Sequence, residues 1–275
     1  MNKQKLIKML EYIILIGFTI LFLYPIVWLL INSFKDGKEL FESPWALPSK
    51  ITLDNYIRAV TVGNIGHYFL NSVVVAVSVV VIATLLSAMA AYGISRLRWK
   101  LSGLVLSIFL LGMMIPTHAT IVPLFSIFNQ LKINNTYAAV IIPHVVFAIP
   151  IAILILTGFF SSIPVEIEEA AIIDGSSLIH CFFRIICPMA TSSLVTVAVI
   201  TFITAWNDLL FPQIFLSDPN MMTLPVGLTT FQGRYSTDYV GMIAAVVITI
   251  IPSIIIYSIL HRKIIDGMTA GAVKG

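Results

Sequence analysis

Charge is what this sequence has least of. Only 11% of its 275 residues are Asp, Glu, Lys or Arg, against 59% hydrophobic, where a water-soluble domain is roughly a quarter charged and about half apolar. One water-facing globule cannot hide that much apolar surface, and a mean hydropathy of +1.00 makes the bilayer the natural solvent. No long basic run suggests nucleic acid. The two cysteines, Cys181 and Cys187, lie six positions apart and read as reduced, structural thiols. No Cys/His cluster has metal-ligand spacing, so no metal site is expected. The G-x-x-x-x-G-K-[ST] phosphate loop is missing, and so are G-x-S-x-G and H-E-x-x-H. The chain is therefore expected neither to hold ATP in that manner nor to carry a catalytic residue. The span centres contain no Asp, Glu, Lys or Arg, which weakens the case for a proton- or sodium-driven carrier. If solute moves through this chain, the energy is expected to come from another one.

What is present is a series of apolar runs, each near the roughly 20 residues that a bilayer requires. Six spans are predicted: Tyr12–Ile31, Leu70–Ile94, a third from Leu101, Tyr137–Phe160, Leu194–Phe215 and Tyr239–Leu260. The first follows Lys3, Lys5 and Lys8 and has full spanning length, so it is read as a retained helix rather than a cleaved leader. Pro116 and Pro123 interrupt the third. Either a bent helix lines a pathway, or the span ends and Thr120–Leu131 lies at the outer surface. With the N-terminus placed inside, ten Lys and Arg fall inside and six outside, so both termini are expected in the cytoplasm. Phe34–Phe69 is the longest outside connection, with Asp54 as candidate cap of a short helix.

The connection between spans four and five has the most specific pattern. Pro164 suits a helix start, Glu166, Glu168 and Glu169 favour the positive end of the dipole, and Ala170 and Ala171 are small helix formers. Gly175 stops that helix, and Ser176 or Ser177 starts a second, ending before Pro188. The object is a helix, a glycine elbow and another helix, with a small-residue surface that another protein can approach closely.

Glu169, Ala170, Ala171, Gly175, Ile185 and Pro188 stand in the register of the EAA loop, E-A-A, three residues, G, nine residues, I-x-L-P. The chain thus resembles the permease subunits of ATP-binding-cassette (ABC) importers. It departs once, with Cys187 in place of Leu. Asn71–Ser72, Ala205–Trp206–Asn207–Asp208 with Phe211–Pro212, and Thr223–Leu228 resemble the carbohydrate (maltose, MalG-like) branch, as does the tail Gly267–Gly275. The resemblance covers nearly the whole chain. It implies an all-α integral membrane protein of the bacterial plasma membrane, with a MetI-like five-helix core plus an N-terminal helix. It also implies a division into 1–69, a core 70–265 containing the loop 161–190, and a tail 266–275. Glu169, Ala170, Ala171, Asp174, Gly175, Ile185 and Pro188 would couple to an ATPase, and Gly271, Ala272, Val273, Lys274 and Gly275 would touch it. The implied partners are a second, homologous permease, two ATPase subunits holding ATP and Mg, and an extracytoplasmic solute-binding protein.

Polar residues of the fifth span supply a candidate solute path: Thr201, Thr204, Asn207 and Asp208, beside Thr196. Bonding between helices, or back to the helix's own carbonyls, accounts for the same residues. Asp208 is expected near the outer, hydrated end, and His144 is the one titratable group nearer the membrane interior. The competing readings are an ABC permease for a non-sugar solute, an ATP-independent carrier and a membrane-embedded enzyme.

Overall fold

The computed structural model describes residues 3–97, 99–233 and 237–272, without the side chains of Lys3, Leu6 and 264–272. In chain order the helices are α1 (Lys3–Asn32), α2 (Gly37–Glu42), α3 (Asp54–Thr61), α4 (Ile65–Arg96), α5 (Ser102–Leu111), α6 (Ile121–Gln130) and α7 (Tyr137–Phe160). They continue with α8 (Val165–Ile173), α9 (Leu178–Cys181), α10 (Cys187–Met189), α11 (Thr191–Trp206), α12 (Leu210–Phe215), α13 (Leu224–Leu228) and α14 (Tyr239–Ala272). The described residues contain one isolated β-bridge, Gln232 with Thr237, and no strand.

Four helices are long and apolar enough to cross a membrane unbroken, within α1, α4, α7 and α14. Two bent pairs bring the count up to six if each pair is one span. The predicted third span is α5 and α6, turned 86° from each other where Gly112, Pro116 and two short 3-10 turns interrupt the helix. The predicted fifth span is α11, which stops at Asn207 and resumes as α12. At its other end α11 meets the Leu178–Met189 segment at 81°. Sixteen residues at 1.5 Å each give α11 only ~24 Å, short of a ~30 Å hydrocarbon core.

By contacts the chain forms two compact units, Met1–Gly66 with Gly227–Ile251, and His67–Val226 with Pro252–Gly275. In the first, Leu40, Val240 and Ile243 form a small core against Trp28 and Leu29. Buried polar groups staple the turn after α1. Asn55 donates to the carbonyls of Ser33 (2.8 Å) and Lys35 (2.6 Å), Lys35 Nζ to that of Ser43 (2.8 Å), and Trp28 Nε1 to that of Pro44 (3.0 Å). Asp54 opens α3 as its first helical residue rather than capping it. The preceding Thr52 hydroxyl accepts the Asp54 N–H instead.

In the second unit α7 is central, packing on α5, α11 and α12. The 219–224 segment is pinned by Asn71, whose amide donates to the carbonyls of Asn220 (2.8 Å) and Met222 (2.9 Å) and whose oxygen accepts from Tyr137 (2.8 Å). Ser72 accepts the Leu224 N–H at 2.7 Å. The Asn71–Ser72 pair is therefore a clamp on an irregular segment that would otherwise leave backbone groups unpaired.

Candidate functional site: the loop 161–190 and the polar pocket of α7 and α11

The helix–elbow–helix forms as its local chemistry dictates. Pro164 stands at the N-cap of α8, and Glu166 and Glu168 lie in the first turn. Gly175 takes φ +87°, a left-handed conformation that L side chains rarely adopt. Around it the Ser176 N–H bonds the Ala171 carbonyl (2.9 Å) and the Gly175 N–H that of Ile172 (3.0 Å). This is the Schellman closure of a helix C-terminus. Ser177 caps the next helix by accepting the His180 N–H.

The second helix does not end before Pro188. α9 widens into a π-helical turn, Phe182–Ile186, and continues as α10 with Pro188 inside. A proline ring clashes with the carbonyl four residues earlier, here Arg184, and the wider π turn accommodates it.

The loop is anchored to the spans by apolar contact and by an ion pair. Ala171, Cys181, Phe182 and Ile186 share one buried cluster with Ala88, Ala91 and Tyr92 of α4, Ala152, Leu156 and Phe160 of α7, and Val197 of α11. Arg96, at the end of α4, lies 2.8 Å from the Glu168 carboxylate through both Nε and Nη2. Its Nη1 also donates to the carbonyls of Ile163 (2.8 Å) and Phe160 (3.2 Å). The two side chains are 4% and 11% exposed. One guanidinium thus closes the C-terminal end of α7 and holds α8 against α4. Burial, followed by the neighbouring Glu168, pushes the Cys181 thiol above its usual range.

The predicted loop residues divide between two faces. Ala171 is buried and Ile185 is partly buried against the shared cluster. Glu169, Ala170, Asp174 and Gly175 are exposed, beside the exposed Ile172, Ile173, Leu178 and Ile179. The outward face is therefore apolar with an acidic edge. Pro188 is exposed at the kink. Of the tail residues, the backbone of Gly271 and Ala272 continues α14, and Val273, Lys274 and Gly275 lie outside the described residues.

Of the solute-path residues, Thr204 donates to the Ile200 carbonyl, Thr196 to that of Ser192, and the Asn207 amide to that of Ile203. These are bonds back to their own helix. Asp208 is bound rather than simply hydrated. Its carboxylate accepts the N–H groups of Leu210 (3.2 Å) and Phe211 (3.0 Å) and lies 3.1 Å from His144 Nε2. His144, Thr201 and Thr204 line one cavity of about 100 Å³ with Phe147 and Ile200. Asn207 is not among its lining residues. No group of three or more His, Cys, Asp or Glu suited to a metal ion occurs among the described residues.

The family described as binding-protein-dependent transport system inner membrane component matches residues 83–269. This chain belongs to that family. It is 34% identical, over 96% of its length and 88% of the relative's, to the diacetylchitobiose uptake system permease protein NgcG of Streptomyces coelicolor. It is also 34% identical, over the whole of both chains, to the trehalose/maltose transport system permease protein MalG of Thermococcus litoralis. Its fold matches a chain of a bacterial ABC transporter involved in the import of the polysaccharide alginate. There the TM-score is 0.85 at 20% identity, covering 95% of this chain and 98% of that one. The chain is thus a multi-pass permease component of an ABC importer, a transport subunit rather than a catalytic one.

Sequence reasoning missed Arg96 as a loop anchor because a basic residue at a span end also reads as an orientation signal. It missed the Glu168 role because all three glutamates of α8 fit the dipole argument equally well.

Proposed function

We propose that this permease passes a sugar or oligosaccharide, delivered by an extracytoplasmic solute-binding protein, across the plasma membrane in step with ATP hydrolysis on separate subunits. Both termini and the 161–190 loop face the cytoplasm in this reading. A second, homologous permease completes the pathway, and two ATPase subunits hold ATP and Mg. The carrying observation is the two-faced loop. Its outward face (Glu169, Ala170, Asp174, Gly175 and the neighbouring isoleucines) suits docking on an ATPase, and its inward face (Ala171, Ile185) is continuous with the spans. Pro188 marks the kink through which motion passes to α11, and the tail Gly271–Gly275 adds a second ATPase contact. The relatives' named solutes support a carbohydrate cargo. Thr201, Thr204, Asn207 and Asp208 belong to the membrane stretch along which it moves.

Closure of the ATPase pair would pull the loop, and the ligands on the two sides of the membrane bias a two-state equilibrium of the spans. The test is purification of the tagged chain from its native membrane in mild detergent, followed by mass spectrometry. An ATPase, a second permease and a solute-binding protein are expected. The assembled complex in liposomes is then offered radiolabelled trehalose, maltose and diacetylchitobiose. A chain that stays alone and moves solute without ATP overturns the proposal. An ATP-driven complex that rejects all carbohydrates but moves another solute overturns its sugar half.

A further inference from the structure

We propose that the cavity between α7 and α11 is a half-site for one exocyclic hydroxyl arm of the transported carbohydrate, held between His144 and Thr201; this rests on the sugar reading above. The cavity joins Val79 of α4, His144 and Phe147 of α7, and Ile200, Thr201 and Thr204 of α11. Its volume of about 100 Å³ exceeds the ~10–15 Å³ that one water needs, so a hydroxyl or hydroxymethyl arm fits.

The polar groups at this cavity are few and defined. Thr201 is only 4% exposed, yet its hydroxyl bonds no partner among the described residues, unlike Thr196 and Thr204, which bond back to the helix. Thr201 lines the cavity, and its oxygen is not sealed in protein like the unpartnered hydroxyls of Thr157 and Ser193, so a ligand or water can bond it there. His144 is 6% exposed and its ring is fixed twice, by Asp208 at Nε2 and edge-on by Phe211 at 5.2 Å. Asp208 is itself held by two backbone N–H groups, so it keeps the imidazole in place. In the tautomer that donates from Nε2 to Asp208, Nδ1 is left as an acceptor.

A sugar hydroxyl is both donor and acceptor. It donates to Nδ1 and accepts from Thr201 Oγ1, while its carbon rests on Phe147, Val79 and Ile200. Asp208 does not line the cavity and acts as a positioning residue. A proton relay would need further ionisable groups, and among the described residues His144 is the only one that lines this cavity.

The binding protein governs capture, so the effect is read at saturating sugar as sugar moved per ATP hydrolysed. The assembled importer in liposomes is given the three disaccharides named above and their monodeoxy analogues. Thr201→Val removes the hydroxyl at nearly constant volume and is expected to lower the ratio by roughly 3- to 10-fold, the range of one lost hydrogen bond. Thr201→Ser, which keeps the hydroxyl, restores it. One monodeoxy analogue, lacking the contacted hydroxyl, is moved equally by the unmodified and Thr201→Val complexes. His144→Gln singles out that same analogue. If Thr201→Val moves every sugar as the unmodified complex does, the half-site is refuted. It is refuted equally if the loss is the same for all analogues, or is not restored by Thr201→Ser, since that is what a structural role predicts. If the unmodified complex moves none of the sugars, the sugar reading fails first and the ligand class fails with it.

Discussion

Removing Arg96 should damage this permease more than removing its partner Glu168, and the structure states why. Arg96→Gln leaves the Glu168 carboxylate buried, 11% exposed, without its cation. Breaking a buried pair in this way costs about 3–5 kcal/mol. Glu168→Gln leaves Arg96 with its bonds to the Phe160 and Ile163 carbonyls and a neutral amide oxygen that still accepts. The loss is then one charge-assisted component, about 1–2 kcal/mol. The double variant should fall short of the sum of the two, because the second substitution removes the group stranded by the first. Charge reversal, Arg96→Glu with Glu168→Arg, should not rescue, since a carboxylate at 96 would face carbonyl oxygens. The assay is thermal unfolding of the assembled complex at a fixed scan rate, paired with protease nicking of the 161–190 loop. At roughly 2–4 °C per kcal/mol, Arg96→Gln should lower the apparent Tm by on the order of 10 °C. Equal effects of the two single variants, or rescue by charge reversal, would refute the anchoring argument.

Other perturbations test other parts of the reasoning. At Gly175 an added Cβ meets no atom within 4 Å, so Gly175→Ala should cost only the left-handed strain, about 1–2 kcal/mol. Gly175→Asn should cost less, and Gly175→Leu should abolish ATP-driven uptake while membrane insertion persists; normal uptake by Gly175→Leu would sink the docking role. Cys181 is buried with its thiol pKa raised, so it holds less thiolate at any given pH than an exposed cysteine. Maleimide should label it only on unfolding, and rapid labelling of the folded complex near pH 7 would contradict its place in the core. Asn71→Ala strands the Asn220 and Met222 carbonyls and should cost about 1–3 kcal/mol, read as a lower apparent Tm and faster proteolysis within 217–224. In the first compact unit, Gly63→Ala would drive a Cβ against the Phe231 ring and the Ala59 carbonyl. The overpacking cost is about 1–3 kcal/mol, and a melting curve identical to the unmodified protein would show that Phe231 swings away freely.

The sequence by itself determined what depends on local pattern. Four of the six predicted spans appear as unbroken apolar helices, because hydropathy over ~20 residues is a property of the segment alone. The elbow at Gly175 and a cap at Ser176 or Ser177 were legible because they rest on φ/ψ freedom and on a side chain two or three residues away; the structure chose Ser177. The interruption near Pro116 was legible too, and the structure gives it an 86° turn.

Tertiary structure decided whatever joins residues far apart in the chain. Arg96 meets Glu168 across 72 positions and His144 meets Asp208 across 64. The first sets α8 against the end of α4 and the second sets the residue after Asn207 against α7, juxtapositions that no spacing rule encodes. The same juxtaposition turns Ala171 inward and leaves Ala170 outside, although the two are equal as helix formers. It also lets a π turn carry the chain through Pro188 where propensity ends the helix, because packing of Phe182 and Ile186 into the shared core outweighs the lost backbone bond.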